Sequence, residues 1–353
     1  MTRADFQTEA LGAPRFSFII PAYNVAAYIG RCLESLLQDT GTDYEVIVVN
    51  DGSTDATASA AREYADHPCV SVIDQDNAGP GAARNTGIDR ARGHYLMFVD
   101  GDDWIEPDTL DVFRQTLAER PECDLMVFGF YEVYGADRYT HDCVADFWKI
   151  TNSPCNKLFR SDLFDGLRFD PTIWYEDLAI VPCLFARARH PETVPRYLYN
   201  YQRDRETSIM NTVDYRRVFD LPLAARRCVA RIRQDEADGR IEPTAPRFGA
   251  DWERRFLTIE IFIVGVLHRS IRIPDRRERR TYINRMMELI PDRSEISPSV
   301  VRERYGRKMA LGSWFYRAGR SGIAHFILHD TGAAKRHVLA LFRRGADKAD
   351  VPD

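Results

Sequence analysis

The segment Glu45–Asp55, with the sequence EVIVVNDGSTD, decides the fold class. It begins with a run of apolar, mostly β-branched residues and ends in a polar cluster, Asp51–Asp55. A continuous apolar run of this kind suits a strand of a parallel sheet that is buried on both faces. The polar cluster then lies at the carboxyl end of that strand, where open α/β sheets bind their ligands.

The same pattern of an apolar run followed by polar residues recurs on both sides of this segment. We expect three further strands, over Phe16–Pro21, Val70–Asp74 and Tyr95–Asp100. The intervals between the strands carry helical spacing, which predicts helices over Ile29–Leu37, Thr54–Ala65 and Gly81–Arg92. Strands and helices that alternate in this way predict a doubly wound, mostly parallel α/β sheet.

The rhythm changes after Asp100, and strand signals fade from Val213 onward. Between these points the spacing predicts two helices and two strands, over Pro107–Glu119, Glu176–Arg189, Asp124–Val133 and Val194–Tyr201. We therefore expect an N-terminal tail at 1–14 and an α/β domain at 15–210. A mostly helical C-terminal region at 211–345 and a C-terminal tail at 346–353 complete the expected organisation.

The composition is that of an ordinary soluble globular protein. Of the 353 residues, 44% are hydrophobic and 29% are charged, and the net charge is −5. Seven scattered cysteines without a CxxC pair indicate free thiols in a reducing compartment. The first residues lack the pattern of a signal peptide, and no apolar window reaches the ~20 residues of a membrane-spanning helix. We expect a cytoplasmic protein without a nucleic-acid partner.

One charged segment departs from this balance. Between Arg302 and Arg344, ten Lys and Arg residues face two acidic ones, which gives a local charge of +8. Apolar and aromatic side chains are interleaved with these basic residues. A basic amphipathic segment is typical of proteins that contact the surface of an anionic membrane. A lipid-linked acceptor would lie on the inner face of that membrane. The alternative is a helical subdomain that buries its apolar faces.

Four polar clusters follow the four strands predicted in the first hundred residues. They are Pro21–Asn24, Asp51–Asp55, the set Gln75, Asn77 and Gly79, and Asp100–Asp103. Because parallel strands end at the same edge of a sheet, we expect the four clusters to meet there. One such cluster is weak evidence of a binding site, whereas four in register are strong evidence.

The second cluster has two interpretations. Gly52 permits a tight turn, Ser53 is a good helix cap, and Asp55 suits the positive end of a helix dipole. A capped helix start explains these residues without a ligand. It explains Asp51 less well, because a carboxylate at a strand end needs a partner, and a nucleobase N–H is a plausible one.

The fourth cluster points to a metal ion. Three carboxylates within four residues, Asp100–Asp103, repel one another unless a cation compensates them. Carboxylate oxygens suit a hard divalent ion such as Mg²⁺ or Mn²⁺, which in turn bridges diphosphate oxygens. An acidic, solvated turn is the alternative.

Together these motifs resemble those of family 2 glycosyltransferases with the GT-A fold. The resemblance is carried in order and spacing by PAYN at 21–24, DGSTD at 51–55, Asn77-x-Gly79, Ala83-Arg84-Asn85-x-Gly87 and Asp100-x-Asp102-Asp103. Weaker matches follow in Asn156–Phe159, Tyr175–Asp177 and Arg205-x-x-Ser208-Ile209. These later motifs resemble bacterial members that build capsular or other surface polysaccharides. The resemblance covers Phe16–Met210, and Gly101 departs from it, since Ser, Ala or another small residue is usual there.

The resemblance implies roles for individual residues. Asp177 would be the general base, Asp102 would bind the metal, Asp100 would hold the ribose and Asp51 would bond the nucleobase. Arg84 would lie near the nucleotide and support Asp51 or the phosphates. The remaining nucleotide-sugar contacts would be Pro21, Ala22, Tyr23, Asn24, Asn77, Gly79 and Gly101. Four further residues would contact the acceptor or support the site: Asp103, Trp104, Glu176 and Arg205.

These roles describe an inverting transfer of a sugar from a nucleotide-diphosphate sugar, with UDP as the expected carrier, to an acceptor hydroxyl. A carboxylate removes the hydroxyl proton, and Mn²⁺ or Mg²⁺ stabilises the departing diphosphate. The acceptor would be a saccharide or a lipid-linked saccharide. A non-catalytic scaffold that binds nucleotide sugars is one alternative. A sugar-1-phosphate nucleotidylyltransferase is another, although the first loop lacks the glycine-rich sequence that such enzymes use.

Overall fold

The computed structural model describes residues 14–204, 217–271, 273, 275–290, 292, 294, 296–302, 311–314 and 318. Arg205, the tail at 346–353 and most of the basic segment therefore lie outside the described residues. The described chain forms two compact units. The first holds the described residues of Met1–Thr172 and Ile180–Thr212, and the second those of Ile173–Ala179 and Val213–Asp353.

The first half of the first unit is the parallel sheet that the sequence predicts. Its strands are β1 (Phe16–Ala22), β2 (Tyr44–Asp51), β3 (Val70–Gln75) and β4 (Tyr95–Phe98). They lie in the order β3-β2-β1-β4, and each pair in this order is parallel. The helices between them are α1 (Ile29–Leu37), α2 (Thr57–Arg62) and α3 (Pro80–Arg90). All residues of β2 are buried, as its apolar run requires.

A close contact between α3 and β1 depends on one glycine. A Cβ at Gly87 would lie 2.2 Å from Cγ2 of Ile19, so any side chain would push the helix away from the strand. Because α3 follows the loop after β3, this contact sets the position of the helix start relative to the end of β1. The small residue in the motif Ala83–Gly87 therefore has a packing function.

The second half of this unit adds a mixed extension to the sheet, with both antiparallel and parallel pairs. It contains β5 (Trp104–Ile105), α4 (Thr109–Glu119), β6 (Leu125–Tyr134), β7 (Asp137–His141), β8 (Lys157–Arg160) and β9 (Pro191–Gln202). The helix α5 (Glu176–Arg187) begins in the second unit and belongs to the first from Ile180 onward. Strand β8 lies antiparallel between β4 and β6. Strand β9 runs parallel to β6 and antiparallel to β5, and β7 pairs with β6. Among the described residues the sheet thus has nine strands.

The described part of the second unit is helical, as the sequence predicts. Its α-helices are α6 (Leu221–Ala237), α7 (Thr244–Phe248), α8 (Trp252–Leu257), α9 (Arg269–Ile271) and α10 (Arg276–Glu288). A π-helical segment, Thr258–His268, joins α8 to α9. Within the part of the chain that the structure describes, no helix is both long and apolar enough to cross a membrane.

Candidate active site

The loop after β1 is bonded to the loop after β2. The Asn24 N–H donates to Ser53 Oγ at 3.1 Å, and the Thr54 N–H donates to Asn24 Oδ1 at 2.8 Å. Asn24 adopts a positive φ of 51°, which Asn tolerates better than most residues. The predicted helix cap at Ser53 is wrong, because α2 begins only at Thr57 and the Ser53 hydroxyl is used by Asn24.

Asp51 connects the loop after β2 to the loop after β3. Its carboxylate is almost fully buried and accepts hydrogen bonds from Gln75 Nε2 at 2.7 Å, Ala78 N at 2.9 Å and Gly79 N at 2.9 Å. A carboxylate has about four acceptor positions, so the protein itself fills most of them. The principal partners of Asp51 are therefore in the protein, and Oδ2, with one hydrogen bond, keeps an acceptor position for a ligand.

Gly52 lets these two loops approach each other. Its φ is +67°, a conformation that favours glycine, and a Cβ there would lie 2.7 Å from the backbone nitrogen of Asn77. Asn77 itself is exposed, and Gly79, with a φ of +88°, precedes the first turn of α3. The glycine of the DGSTD motif is thus required by both conformation and space.

Arg84 connects α3 to the loop after β4. Its guanidinium is nearly buried and donates to Asp100 Oδ1 at 2.9 Å, and it lies 5.5 Å from the centroid of the Phe169 ring. Asp51 accepts its hydrogen bonds from Gln75, Ala78 and Gly79, whereas the ion pair of Arg84 is with Asp100. The Asp100 side chain keeps 29% of its surface exposed.

Gly101 closes the circle of contacts between the loops after β4 and β1. A Cβ at this position would lie 3.0 Å from Cγ2 of Val25 and 3.3 Å from the carbonyl oxygen of Pro21. Position 101, where the sequence departs from the family pattern, therefore leaves little room for a side chain beside Val25. The four loops predicted to meet at one sheet edge do meet there, each bonded to or packed against the next.

The third acidic residue of the cluster points into the protein. Asp103 is fully buried, accepts a hydrogen bond from the Tyr199 hydroxyl and accepts another from Gln202 N at 2.8 Å. Burial raises the pKa of Asp103 well above its usual value, and the charges of Asp102 and Asp100 raise it further. Of the two roles left open for Asp103, the structure fits support of the site and not contact with an acceptor.

Asp102 is the residue to which the resemblance assigns the metal ion. It is half-exposed, beside the partly exposed Asp100. No group of three His, Cys, Asp or Glu side chains among the described residues is arranged to hold a metal by itself. Mg²⁺-type sites commonly take one or two protein carboxylates and complete their shell with phosphate oxygens and water. The donor set at Asp102 fits that kind of site.

Two aromatic residues border these loops. Tyr23 is 44% exposed. Trp104 is half-buried, and the guanidinium of Arg31 lies 3.6 Å from the centroid of its ring. Arg31 was not singled out from the sequence, and the buried Tyr199 was expected there only as a residue of the strand Val194–Tyr201. A tyrosine hydroxyl in a buried strand needs a polar partner, which is the signal that Tyr199 offered.

Glu176 and Asp177 belong to the second unit and lie in the first turn of α5. Both are half-buried, and Asp177 Oδ1 accepts a hydrogen bond from Leu178 N at 2.7 Å. The preceding residue, Tyr175, has a positive φ of 68°. Such a conformation costs a non-glycine residue on the order of 1–3 kcal/mol and is frequent next to functional sites.

Residues of the same unit hold this strained segment in place. The Trp174 N–H donates to Asp220 Oδ2 at 3.1 Å, and the Arg269 guanidinium lies 5.1 Å from the centroid of the Tyr175 ring. Burial raises the pKa of Tyr175, and the charge of Arg269 counteracts that rise. The acidic pair at the start of α5 therefore follows a backbone that is fixed on both sides of Tyr175.

Comparison with known proteins finds a family match for part of the chain. Residues 17–168 match the family model described as Glycosyl transferase family 2, and this stretch contains all four loops. The match covers less than half of the chain. Glycosyltransferase GlyA of Streptococcus pneumoniae is 35% identical over 181 residues, which cover 44% of this chain and 26% of GlyA. Chondroitin synthase of Escherichia coli is 48% identical over 110 residues, covering 30% of this chain and 16% of the synthase. The chain thus spans about a quarter or less of these two relatives.

Two solved structures have the same fold. S. aureus TarS 1–349 in complex with UDP-GlcNAc superposes with a TM-score of 0.67 at 20% identity, over 94% of this chain and 92% of TarS 1–349. The mannosyltransferase PcManGT from Pyrobaculum calidifontis, in complex with GDP-Man and Mn²⁺, gives a TM-score of 0.51 at 16% identity, over 96% and 88%. The predicted GT-A fold is confirmed.

Proposed function

We propose that this chain is an inverting glycosyltransferase that moves a sugar from a nucleotide-diphosphate sugar to an acceptor hydroxyl. The observation that carries the proposal is the meeting of four loops at one sheet edge, with Asp102 half-exposed, within the stretch that matches Glycosyl transferase family 2. The four loops are bonded to or packed against one another, and the fourth leaves part of its carboxylates exposed.

The donor would bind along these four loops. The exposed ring of Tyr23, with Pro21, Ala22 and Asn24, would pack on the nucleobase. The acceptor position that remains on Asp51 Oδ2 suits a single base N–H, and the partly exposed Asp100, already fixed by Arg84, suits a ribose hydroxyl. Asn77, Gly79 and Gly101 would complete the binding surface.

Asp102 would hold the divalent metal, Mn²⁺ or Mg²⁺, together with diphosphate oxygens. When bound, the ion supplies positive charge that stabilises the departing diphosphate. Asp103 cannot share this task directly, because its carboxyl group is turned toward Tyr199 and Gln202. Its burial instead fixes the loop from which Asp102 projects.

Asp177 would act as the general base, with Glu176 in support. The Asp177 carboxylate would take the proton of the acceptor hydroxyl as the hydroxyl oxygen bonds to the anomeric carbon. The bond from that carbon to the diphosphate breaks on the opposite face, which inverts the configuration. The strained Tyr175 supports this assignment, because such strain is characteristic of segments that place a functional side chain.

The nature of the donor is tested by a panel of nucleotide sugars. The TarS structure contains UDP-GlcNAc and the PcManGT structure contains GDP-Man, so UDP- and GDP-linked sugars form the two arms of the panel. We expect metal-dependent release of UDP from at least one UDP-sugar. Binding of a nucleotide sugar without release of nucleotide, with or without saccharide acceptors, would favour the non-catalytic scaffold.

The acceptor is proposed to be a saccharide or a lipid-linked saccharide, in the synthesis of a cell-surface polysaccharide or glycoconjugate. The relationship to chondroitin synthase and the basic segment Arg302–Arg344 support this proposal. The same segment would hold a cytoplasmic enzyme on the inner face of the membrane. Liposomes that contain anionic lipid should then bind the full chain at low salt and release it at high salt. Absence of binding at low salt would exclude the membrane contact.

A further inference from the structure

The buried Tyr199 hydroxyl bonds to both ends of the acidic motif Asp100–Asp103. It accepts a hydrogen bond from Asp100 N at 3.2 Å and donates one to Asp103 Oδ2. A tyrosine hydroxyl can do both at once, because it is a donor and an acceptor. One side chain from β9 therefore fixes the first and the last residue of the motif, while the side chain of Asp102 lies between these fixed points.

Arg31, on α1, bonds to the middle of the same loop. Its Nη2 donates to the carbonyl oxygen of Asp102 at 3.1 Å and to Gln202 Oε1 at 2.8 Å. The Gln202 N–H in turn donates to Asp103 Oδ1 at 2.8 Å. Arg31 thus links the backbone of Asp102 to the end of β9 through the carbonyl oxygen of Asp102.

The guanidinium of Arg31 also covers the ring of Trp104, 3.6 Å from its centroid. The planar guanidinium can stack on an aromatic ring and still direct its N–H groups to two acceptors. The ammonium group of lysine has no such plane and cannot reproduce both interactions. These contacts distinguish Arg31 from an ordinary surface arginine, although its side chain is exposed.

We propose that Arg31 and Tyr199 are positioning residues, which hold the loop Asp100–Trp104 in the conformation that binds the metal–nucleotide complex. The inference rests on the proposed function of this loop. Arg31 holds the loop from α1 and Tyr199 holds it from β9. Neither residue needs to touch the metal: each acts through Asp100, Asp102 or Asp103, as residues behind metal ligands commonly do.

The test compares UDP binding with and without metal in four variants. Calorimetry in Mn²⁺ and in EDTA is applied to Arg31→Ala, Arg31→Lys, Tyr199→Phe and a control, Arg196→Ala. Arg196 is an exposed arginine of β9 that pairs with Asp108, outside the loop. Thermal unfolding of each variant is measured in parallel, because Tyr199→Phe leaves a buried carboxyl group with one bond fewer.

We expect Arg31→Ala and Tyr199→Phe to raise the Kd for UDP in Mn²⁺ by about 10- to 100-fold, the range for loss of a residue behind a metal ligand. The Kd in EDTA should change little, Arg31→Lys should not restore affinity, and Arg196→Ala should bind like the wild type. Because Arg31 is exposed, its variants should unfold at the wild-type temperature, which keeps the test independent of Tyr199→Phe.

Two results would overturn the inference. One is wild-type affinity for UDP in Mn²⁺ in both Arg31→Ala and Tyr199→Phe. The other is an equal loss of affinity in Mn²⁺ and in EDTA, which would show a general structural effect and not positioning of the metal loop. A wild-type protein that binds neither UDP nor GDP in Mn²⁺ would instead contradict the proposed function itself, and the inference with it.

Discussion

Two loops at the same sheet edge use their carboxylates in opposite ways. At the end of β2, Asp51 is buried and accepts hydrogen bonds from the last residue of β3 and from the loop after it, and Ser53 bonds to Asn24. In the loop after β4, Asp100 and Asp102 remain partly exposed, and only Asp103 is buried. Both loops end a parallel strand with an acidic sequence. The difference teaches that a carboxylate at a strand end indicates a ligand only after its bonds within the protein have been counted.

The two loops thus have different functions: one stabilises the fold of the site, and the other would bind the donor and the metal. The loop Asp51–Asp55 holds the neighbouring loops in position, and the loop Asp100–Trp104 presents groups that a donor and a metal would use. Substitutions in the first loop should therefore act mainly on stability, and those in the second mainly on binding. Asp177 lies outside both loops, so its substitution should lower turnover and leave stability and donor binding unchanged.

The largest effect is expected for Asp177→Asn. The amide is nearly isosteric but cannot accept the proton of the acceptor hydroxyl, so the turnover rate should fall by about 10²–10⁴-fold. Donor affinity should stay at the wild-type value, because the donor loops are unchanged. Turnover is measured as release of nucleotide, and affinity is measured by titration.

Glu176→Gln is the matched control, since it removes the neighbouring carboxylate from the same helix turn. It should retain most of the activity. Near-normal turnover in Asp177→Asn, together with an inactive Glu176→Gln, would transfer the role of base to Glu176.

Asp51→Asn tests whether the loop after β2 stabilises the fold. The amide group would place N–H donors against the N–H groups of Gln75, Ala78 or Gly79. Hydrogen bonds to a charged group contribute about 1.5–3 kcal/mol each, so the free energy of unfolding should fall by about 3 kcal/mol. Asp102→Asn, which removes one charge from an acidic cluster, should change it by less than about 1 kcal/mol. Urea denaturation measures both, and equal losses would erase the distinction between the loops.

Glu132 provides a carboxylate of the same unit outside both loops. It pairs with Arg203 and with His141 Nε2 at 3.0 Å. Burial raises its pKa, but the hydrogen bonds from His141 and Arg203 outweigh this effect and lower the pKa to about 2 from 4.5. A lowered pKa in the folded state adds stability above the unfolded pKa, and this stability is lost as the pH falls.

We therefore expect wild type to exceed Glu132→Gln in free energy of unfolding by about 2 kcal/mol at neutral pH. The difference should decrease as the pH falls from about 4.5 toward 2, the interval between the two pKa values. Urea denaturation across this range measures it. A difference in free energy of unfolding that does not depend on pH would show that Glu132 stabilises the pair of strands β6 and β7 by packing and not by charge.

The sequence predicted the parallel half of the sheet because its signals are local. The apolar run of β2 and the polar residues after it lie within one short segment, Glu45–Asp55. The mixed extension of the sheet was harder to predict from the sequence. Strand β7, Asp137–His141, is polar and mostly exposed, and β5 has only two residues, so neither carries an apolar period.

The contacts inside the site could not be predicted from local sequence patterns, because their partners are far apart in the sequence. The local sequence predicts that Ser53 caps a helix, yet its hydroxyl accepts a hydrogen bond from Asn24, 29 residues earlier. Tyr199 meets Asp100 from 99 residues away, and Arg31 meets Asp102 from 71. The residue types of the site follow from the motifs, whereas the partners that bond to them depend on the whole chain being folded.

The most direct test of the central claim is calorimetric titration of UDP into wild type and Asp102→Asn, in Mn²⁺ and in EDTA. If the loop after β4 binds a metal that bridges the diphosphate, wild type should bind UDP much more tightly in Mn²⁺ than in EDTA. Asp102→Asn should lose that difference, because it lacks the ligand charge. Equal affinity of the wild type in Mn²⁺ and in EDTA would contradict the account.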